Sequence, residues 1–241
     1  MYPRDAAATR ARILDAALAS FAARGYGATS LDAVAVQVGL RKQTILHHFG
    51  TKQGVLVAVV DRSAGELADA LEAALSGAGP GFARVEALVR ATFRLAARRP
   101  ELLGLLREVG RLGPPAATRL VGGLEPLVER ALAFLEDEMA AGRVRRHDPR
   151  LLLLSAYSTV IGVATEVEVL RAVGVEPTAR SLVHRRAELL EFLRSALLVE
   201  GGPSARSGDG AAPGPSSPGG RPAPHTARRW PPTAGGTSSG A

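Results

Sequence analysis

Residues 29–52 read TSLDAVAVQVGLRKQTILHHFGTK, and the spacing of the apolar residues in this stretch decides the fold. Leu31, Val34, Ala35 and Val38 recur at i, i+3, i+4 and i+7, which places them on one face of a helix from Leu31 to Val38. Ser30 precedes that helix as an N-cap, its hydroxyl positioned to accept an amide proton that the first turn leaves unpaired. Gly39 ends it where a left-handed backbone is needed. Residues 41–48 then predict a second short helix, with Leu40, Ile45 and Phe49 turned inward and Arg41, Lys42, Gln43, Thr44 and His47 outward. A buried helix, a short turn and a polar, basic second helix make a helix-turn-helix, whose second helix fits the major groove of DNA.

The flanks extend the pattern. Upstream, TRARILDAALASFAARGYGATS sets Ile13, Ala17 and Phe21 along one helical face and ends at Gly25 and Gly27. Downstream, GTKQGVL opens another helix with Lys52 in its first turn. Taken together, Thr9 to about Leu56 resembles the DNA-binding head of the tetracycline-repressor (TetR) family of transcription regulators. The residues that carry the resemblance are Arg10, Ile13-Leu14, Ala16-Ala17, Phe21, Gly25-Tyr26, Thr29-Ser30, Val34-Ala35, Val38-Gly39-Leu40, Thr44-Ile45, His47-His48-Phe49, Thr51-Lys52 and Val55-Leu56. One position departs: Leu46 stands where that family usually has a tyrosine touching a DNA phosphate, which leaves His47 or Thr51 to replace the contact.

Composition narrows the class. The chain has 241 residues, room for one or two domains with a substantial core, and no cysteine, which excludes disulfides and thiolate metal sites. Arg4 near the N-terminus has no apolar run behind it, so no secretory signal is expected. Residues 151–165, the longest charge-free stretch, are too few to span a bilayer, and a cytoplasmic protein without membrane contact is expected. The formal net charge of +7 is unevenly placed. Residues 1–54 hold seven Lys/Arg against three Asp/Glu, residues 55–200 hold nineteen of each, and residues 201–241 hold four arginines against one aspartate. A basic N-terminal segment is the electrostatic footprint of nucleic-acid binding. Lys42 and Lys52, the chain's two lysines, both lie in it.

Along the chain, residues 1–8 read as a short arm, 9–50 as three helices, and Lys52 to about Ser76 as a helix leading away. Breaks at SGAGPG (76–81) and Gly113-Pro114-Pro115 separate further helices over 82–99, 101–112 and 116–141. Asp148-Pro149 has the form of a helix start and predicts a helix to about Val173, with a last one over 178–199. No alternating β-branched run predicts a strand. The expected fold is all-α: a helix-turn-helix DNA-binding domain over 1–51, a helical effector-binding and dimerisation domain over 52–200, and a disordered Gly/Pro/Ser-rich tail over 201–241. That tail holds eight of the sixteen prolines and few residues that could build a core.

The candidate DNA contacts follow from residue chemistry. Arg41 can bridge O6 and N7 of guanine, Gln43 can pair with N6 and N7 of adenine, and Thr44 can offer its methyl to thymine. Lys42, His47, His48 and Lys52 are placed for phosphates, and Thr29 and Ser30 stand at a helix N-terminus that favours anions. A metal at His47-His48 is not expected, because adjacent helical side chains diverge by roughly 100°. No Gly-rich phosphate loop and no Ser/His/Asp constellation suggests an enzyme, and no cofactor is expected.

A reading head this small calls for two copies on two half-sites. The expected dimer surface is Val160, Val163, Ala164, Val167 and Leu170 on one helix with Leu182, Leu189, Leu193 and Leu197 on the last, burial within one chain being the alternative. The resemblance further implies a small-molecule effector held among the middle helices, with Phe93, Leu103, Leu106, Leu124, Val128, Tyr157 and Ile161 as candidate lining. The implied function is a repressor of a palindromic operator, released by that effector. Control by a protein partner, or by no effector, is the alternative.

Overall fold

A computed structural model of the chain describes residues 3–199, and the tail expected over 201–241 lies outside them. The described residues are all-α: α1 (Pro3–Arg24), α2 (Leu31–Val38), α3 (Lys42–Phe49), α4 (Lys52–Ser76), α5 (Phe82–Arg98), α6 (Pro100–Leu112), α7 (Ala116–Ala140), α8 (Pro149–Thr165), α9 (Val167–Ala172) and α10 (Ala179–Leu197). Instead of an arm, residues 3–8 continue α1. Pro3 opens the helix, Asp5 favours its first turn and an alanine run follows, so local propensity extends the helix outward.

The first hydrophobic cluster begins with Ile13, Ala17 and Phe21 of α1, all fully buried, and takes in Val34 of α2, Ile45 of α3 and Val55 and Val59 of α4. It continues without interruption into Leu103, Leu105 and Leu106 of α6 and Leu120 of α7. The first helices therefore share one core with α6 and α7. Two close approaches tighten it: a Cβ on Gly104 would come within 3.0 Å of Ala22, and one on Gly123 within 2.7 Å of Ala64. Helices α4 and α7 run in the same direction, clamped by Asp61–Arg119 and Glu72–Arg130 on either side of that contact.

A second cluster joins α5, α8 and α10 through Val89, Phe93, Ala164, Leu189, Leu193 and Leu197. This takes four residues out of the expected dimer surface. Ala164, Leu189, Leu193 and Leu197 are buried inside one chain, and Val160, Val163 and Leu182 pack half-buried on the same cluster. Val167 and Leu170, also half-buried, lie on the separate α9. The strongest apolar stripe of each helix is used by the protomer's own core, where it removes the most surface from water. What remains outside is different: Leu151, Leu154, Ser155 and Ser158 form an exposed i, i+3, i+4, i+7 row on α8. Phe192, 58% exposed, lies on the α8 side of α10, since it sits seven residues after Arg185, which reaches α8.

The single helix expected from Asp148-Pro149 to Val173 is broken at Glu166, whose ψ of 69° leaves the helical region. The break has a cause in α10. Arg185 donates from its guanidinium to the carbonyl of Val163, the acceptor that the N–H of Val167 would use in a continuous helix. Glu166 is also held by Arg107 of α6, at 3.4 Å. Burial lowers the affinity of Arg185 for its proton, and the negative end of α8 compensates part of that cost. Asp148 does cap α8, accepting from Arg150 and Leu151 N–H, as its sequence position predicts. At the far end of α7, Glu138 is buried and accepts two bonds from Arg143, and Val144 makes an isolated bridge with Leu198.

Candidate nucleic-acid interface

The interface is built on α2, α3 and the start of α4. Helix α2 spans Leu31–Val38 with Leu31, Val34, Ala35 and Val38 buried, and Ser30 accepts the Ala33 N–H at 3.1 Å. Gly39 adopts φ 66°, the left-handed conformation that allows a chain reversal within two residues. The C-terminal end of α2 is fixed from α1: Arg12 donates to the Val38 carbonyl at 2.6 Å, and Ser20, itself bonded by Arg24, donates to Gln37.

Helix α3 is anchored by Ile45, fully buried, with Leu46 and Phe49 packed half-buried on the same cluster. The opposite side carries Lys42, Gln43 and His47, all exposed, with exposed Arg41 as the residue that precedes the helix. Thr44 is half-buried at the edge of this face. Leu46 thus packs against the core instead of reaching outward, as an apolar replacement of a polar ring should.

Two of the residues expected to contact DNA are turned the other way. Thr29 is 2% exposed, and its hydroxyl donates into the fold, to the carbonyls of Ser20 and Gly25. The cause is its position: it closes the α1–α2 turn, whose backbone carbonyls need a donor. Its side chain therefore holds that turn and does not face outward. His48 is half-buried, edge-on to His47 and tilted against Phe49 at ring distances of 5.7 and 6.1 Å, and its Nε2 is enclosed without a protein partner. Ser30, by contrast, is exposed beside the α2 N-terminus.

The two lysines converge. A shallow hollow of about 390 Å³ is lined by Gly27 to Asp32, Lys42 and Lys52, with the N-terminus of α2 at its floor. Lys42 pairs with Asp32 at 2.9 Å. Lys52 lies 4.3 Å above the Tyr26 ring and donates to the Gly27 carbonyl at 3.3 Å. Thr51 caps α4 by accepting from the Gly54 N–H. Positive side chains beside a helix N-terminus favour an anion. Sequence reasoning named both lysines but missed Asp32 as the carboxylate between them and Arg10, whose guanidinium lies 4.6 Å from the Phe49 ring centre. The i, i+10 separation of Asp32 and Lys42 crosses the turn and belongs to no helical periodicity.

The residues expected to line an effector pocket do not converge in this way. Phe93 is core in the second cluster, Leu103 and Leu106 are core in the first, and Leu124 and Ile161 pack half-buried onto the first. Val128 is half-buried and Tyr157 is 45% exposed. Apolar residues of this size close on one another wherever the helices approach, so most of this set is ordinary packing. Among the described residues, no helix is long and apolar enough to cross a membrane.

Residues 13–59 match the family model for bacterial regulatory proteins, tetR family. The HTH-type transcriptional regulator BetI of Rhizobium meliloti is 33% identical over 92 residues, which are 38% of this chain and 45% of BetI. The HTH-type transcriptional repressor SCO4008 of Streptomyces coelicolor is 35% identical over 68 residues, 28% of this chain and 35% of that protein. The matched stretch thus spans less than half the length of either relative. A transcriptional regulator from Saccharomonospora viridis, solved in complex with choline, superposes with a TM-score of 0.65 at 19% identity, covering 80% of this chain and all of that one.

Proposed function

We propose that this chain belongs to the tetR family of bacterial regulatory proteins and acts as a sequence-specific DNA-binding transcriptional regulator, working as a repressor on a palindromic operator. The observation that carries the reading is the two-sidedness of α3: Ile45 is fully buried behind it while Arg41, Lys42, Gln43 and His47 stand exposed in front. In this reading residues up to 51 form the head and residues from 52 the body. Arg41 and Gln43 read base edges, with Thr44 at the margin. Lys42, Lys52, His47 and Ser30 hold phosphates around the hollow. Asp32 restrains Lys42 until a phosphate displaces it.

Two chains pair through the exposed row Leu151, Leu154, Ser155 and Ser158 of α8 and Phe192 of α10, making a four-helix bundle about a two-fold axis. That axis sets the spacing of the two α3 helices and hence of the operator half-sites. A small molecule that prefers a misfitting spacing lowers operator affinity by its differential binding energy. Support for a small-molecule effector comes from the S. viridis relative in fold, which was solved with choline. The packed arrangement of Phe93, Leu103 and Leu106 favours a second reading, in which the middle of the body holds no effector and control comes from elsewhere.

Hydrogen exchange with and without duplex DNA tests the interface. Protection on adding DNA should appear at residues 27–32, in α3 and in the first turn of α4. Protection that spares α3 would overturn the assignment.

A further inference from the structure

The geometry points to a ligand site at the seam between head and body, taking a compact, uncharged aromatic molecule with one hydrogen-bonding group. It rests on the reading of α3 as the DNA-contacting helix only for its effect on DNA, not for the binding itself. The site is a cleft of about 280 Å³. Tyr26 of the α1–α2 turn forms one wall, Gln53 and Val57 of α4 a second, and Pro115 and Ala116 at the start of α7 a third, with Arg119 at the rim. None of the seven residues expected to line an effector pocket takes part.

Its chemistry follows from these walls. About 150 Å³ is enough to hold benzene in an apolar cavity, so this volume accommodates roughly a two-ring aromatic. Tyr26 and Pro115 line the cleft with ring side chains, and Val57 and Ala116 offer a planar ligand apolar contact. The rim carries no free charge for an ion: the guanidinium of Arg119 is joined at two points to Asp61, Nε to Oδ1 at 2.5 Å and a terminal nitrogen to Oδ2 at 2.9 Å. Gln53 is exposed, and its amide supplies both a donor and an acceptor to one polar group.

The position gives such a ligand leverage. The three walls belong to the three segments whose relative placement fixes where α3 points. The backbone N–H of Tyr26 donates to Glu108 of α6 at 2.6 Å, so the Tyr26 wall joins the α1–α2 turn to the body. A molecule filling the cleft binds one head position better than another, and by linkage operator binding changes by the same factor. This gives the second reading above, control from outside the middle of the body, a definite location.

The test uses 2-naphthol as the probe with the full-length chain. Its binding is followed by calorimetry without DNA, and then its effect on duplex binding is measured. The wild type should bind one molecule per chain saturably. Ala116→Phe, which fills the cleft, should weaken binding at least tenfold. Gln53→Phe, on an exposed position at the mouth, should do the same without touching the core, which covers the case where Ala116→Phe does not fold. Val183→Phe, exposed on α10 away from the cleft, should leave binding unchanged. Absence of saturable binding up to the solubility limit, or binding indifferent to both cleft variants, overturns the site. Binding that is lost in both variants while DNA affinity ignores 2-naphthol overturns the leverage and keeps the site. Failure of the chain to select any DNA sequence would count against the functional reading and leave the calorimetric result standing.

Discussion

Replacing Lys52 by alanine should weaken binding to every duplex by the same factor. Lys52 engages a carbonyl at 3.3 Å and a ring at 4.3 Å, both neutral, so its charge is available to a phosphate, whereas Lys42 is already engaged with Asp32 at 2.9 Å. Each phosphate neutralised contributes about −0.9 to the slope of log K against log salt, so a dimer losing two contacts should show a slope shallower by roughly 1.8. At about 0.15 M salt the same relation gives a loss of roughly fivefold per head and thirtyfold per dimer, rising to roughly two-hundredfold at about 0.05 M. Loss of the cation–π contact with Tyr26 costs roughly 0.5–1 kcal/mol at an exposed site, too little to unfold the first helices. Fluorescence anisotropy on two unrelated duplexes over a salt series measures both slope and offset. Lys52→Arg should restore most of the slope. An unchanged slope, or a loss confined to one duplex, would refute the placement of Lys52 on a phosphate.

Gln43→Ala should leave the salt slope intact and relax preference at one base pair per half-site, at a cost of roughly 1–3 kcal/mol on the preferred sequence, read by competition between single-base variants. Asp32→Asn should free Lys42 and remove a negative charge from the phosphate seat, tightening binding most at low salt. An attraction of roughly 0.8 kcal/mol at about 5 Å in water sets the scale, and the same titration checks it. Leu154→Glu should convert the dimer to a monomer by light scattering, while Ala187→Glu, exposed on α10 and turned roughly 140° from Phe192, should not. Glu138 is held below the ordinary glutamate value by its hydrogen bonds from Arg143, with burial opposing. Its contribution is therefore present above about pH 4.5 and lost as pH falls through the lower folded value, and Glu138→Gln should flatten denaturation midpoints across that range.

The start, caps and buried face of α2 were legible because they depend on neighbours within a few residues: Ser30 caps it, Gly39 stops it, and the i, i+3, i+4, i+7 set is buried. The same holds for Asp148-Pro149 and for the break before α5. The α8–α9 break was not legible. Nothing between Asp148 and Val173 forbids a continuous helix, and the interruption comes from Arg185, more than twenty residues away. The dimer stripe failed for a related reason. Periodicity identifies which face of α10 is apolar, but not whether that face meets α5 of the same chain or another molecule. Residue type anticipated the exposure of Arg41 and Gln43. It failed for Thr29, whose hydroxyl answers to backbone carbonyls brought near by the turn. Leu46, the one departure from the family pattern, packs half-buried on the first cluster.

The most direct test of the whole account is selection from random duplex DNA with the purified full-length chain at moderate salt, followed by sequencing of the bound pools. The expected result is an inverted repeat whose half-sites lose definition at one position in Gln43→Ala and keep it in Lys52→Ala. Enrichment of no sequence, with binding that only tracks salt, would contradict the claim that α3 reads base edges.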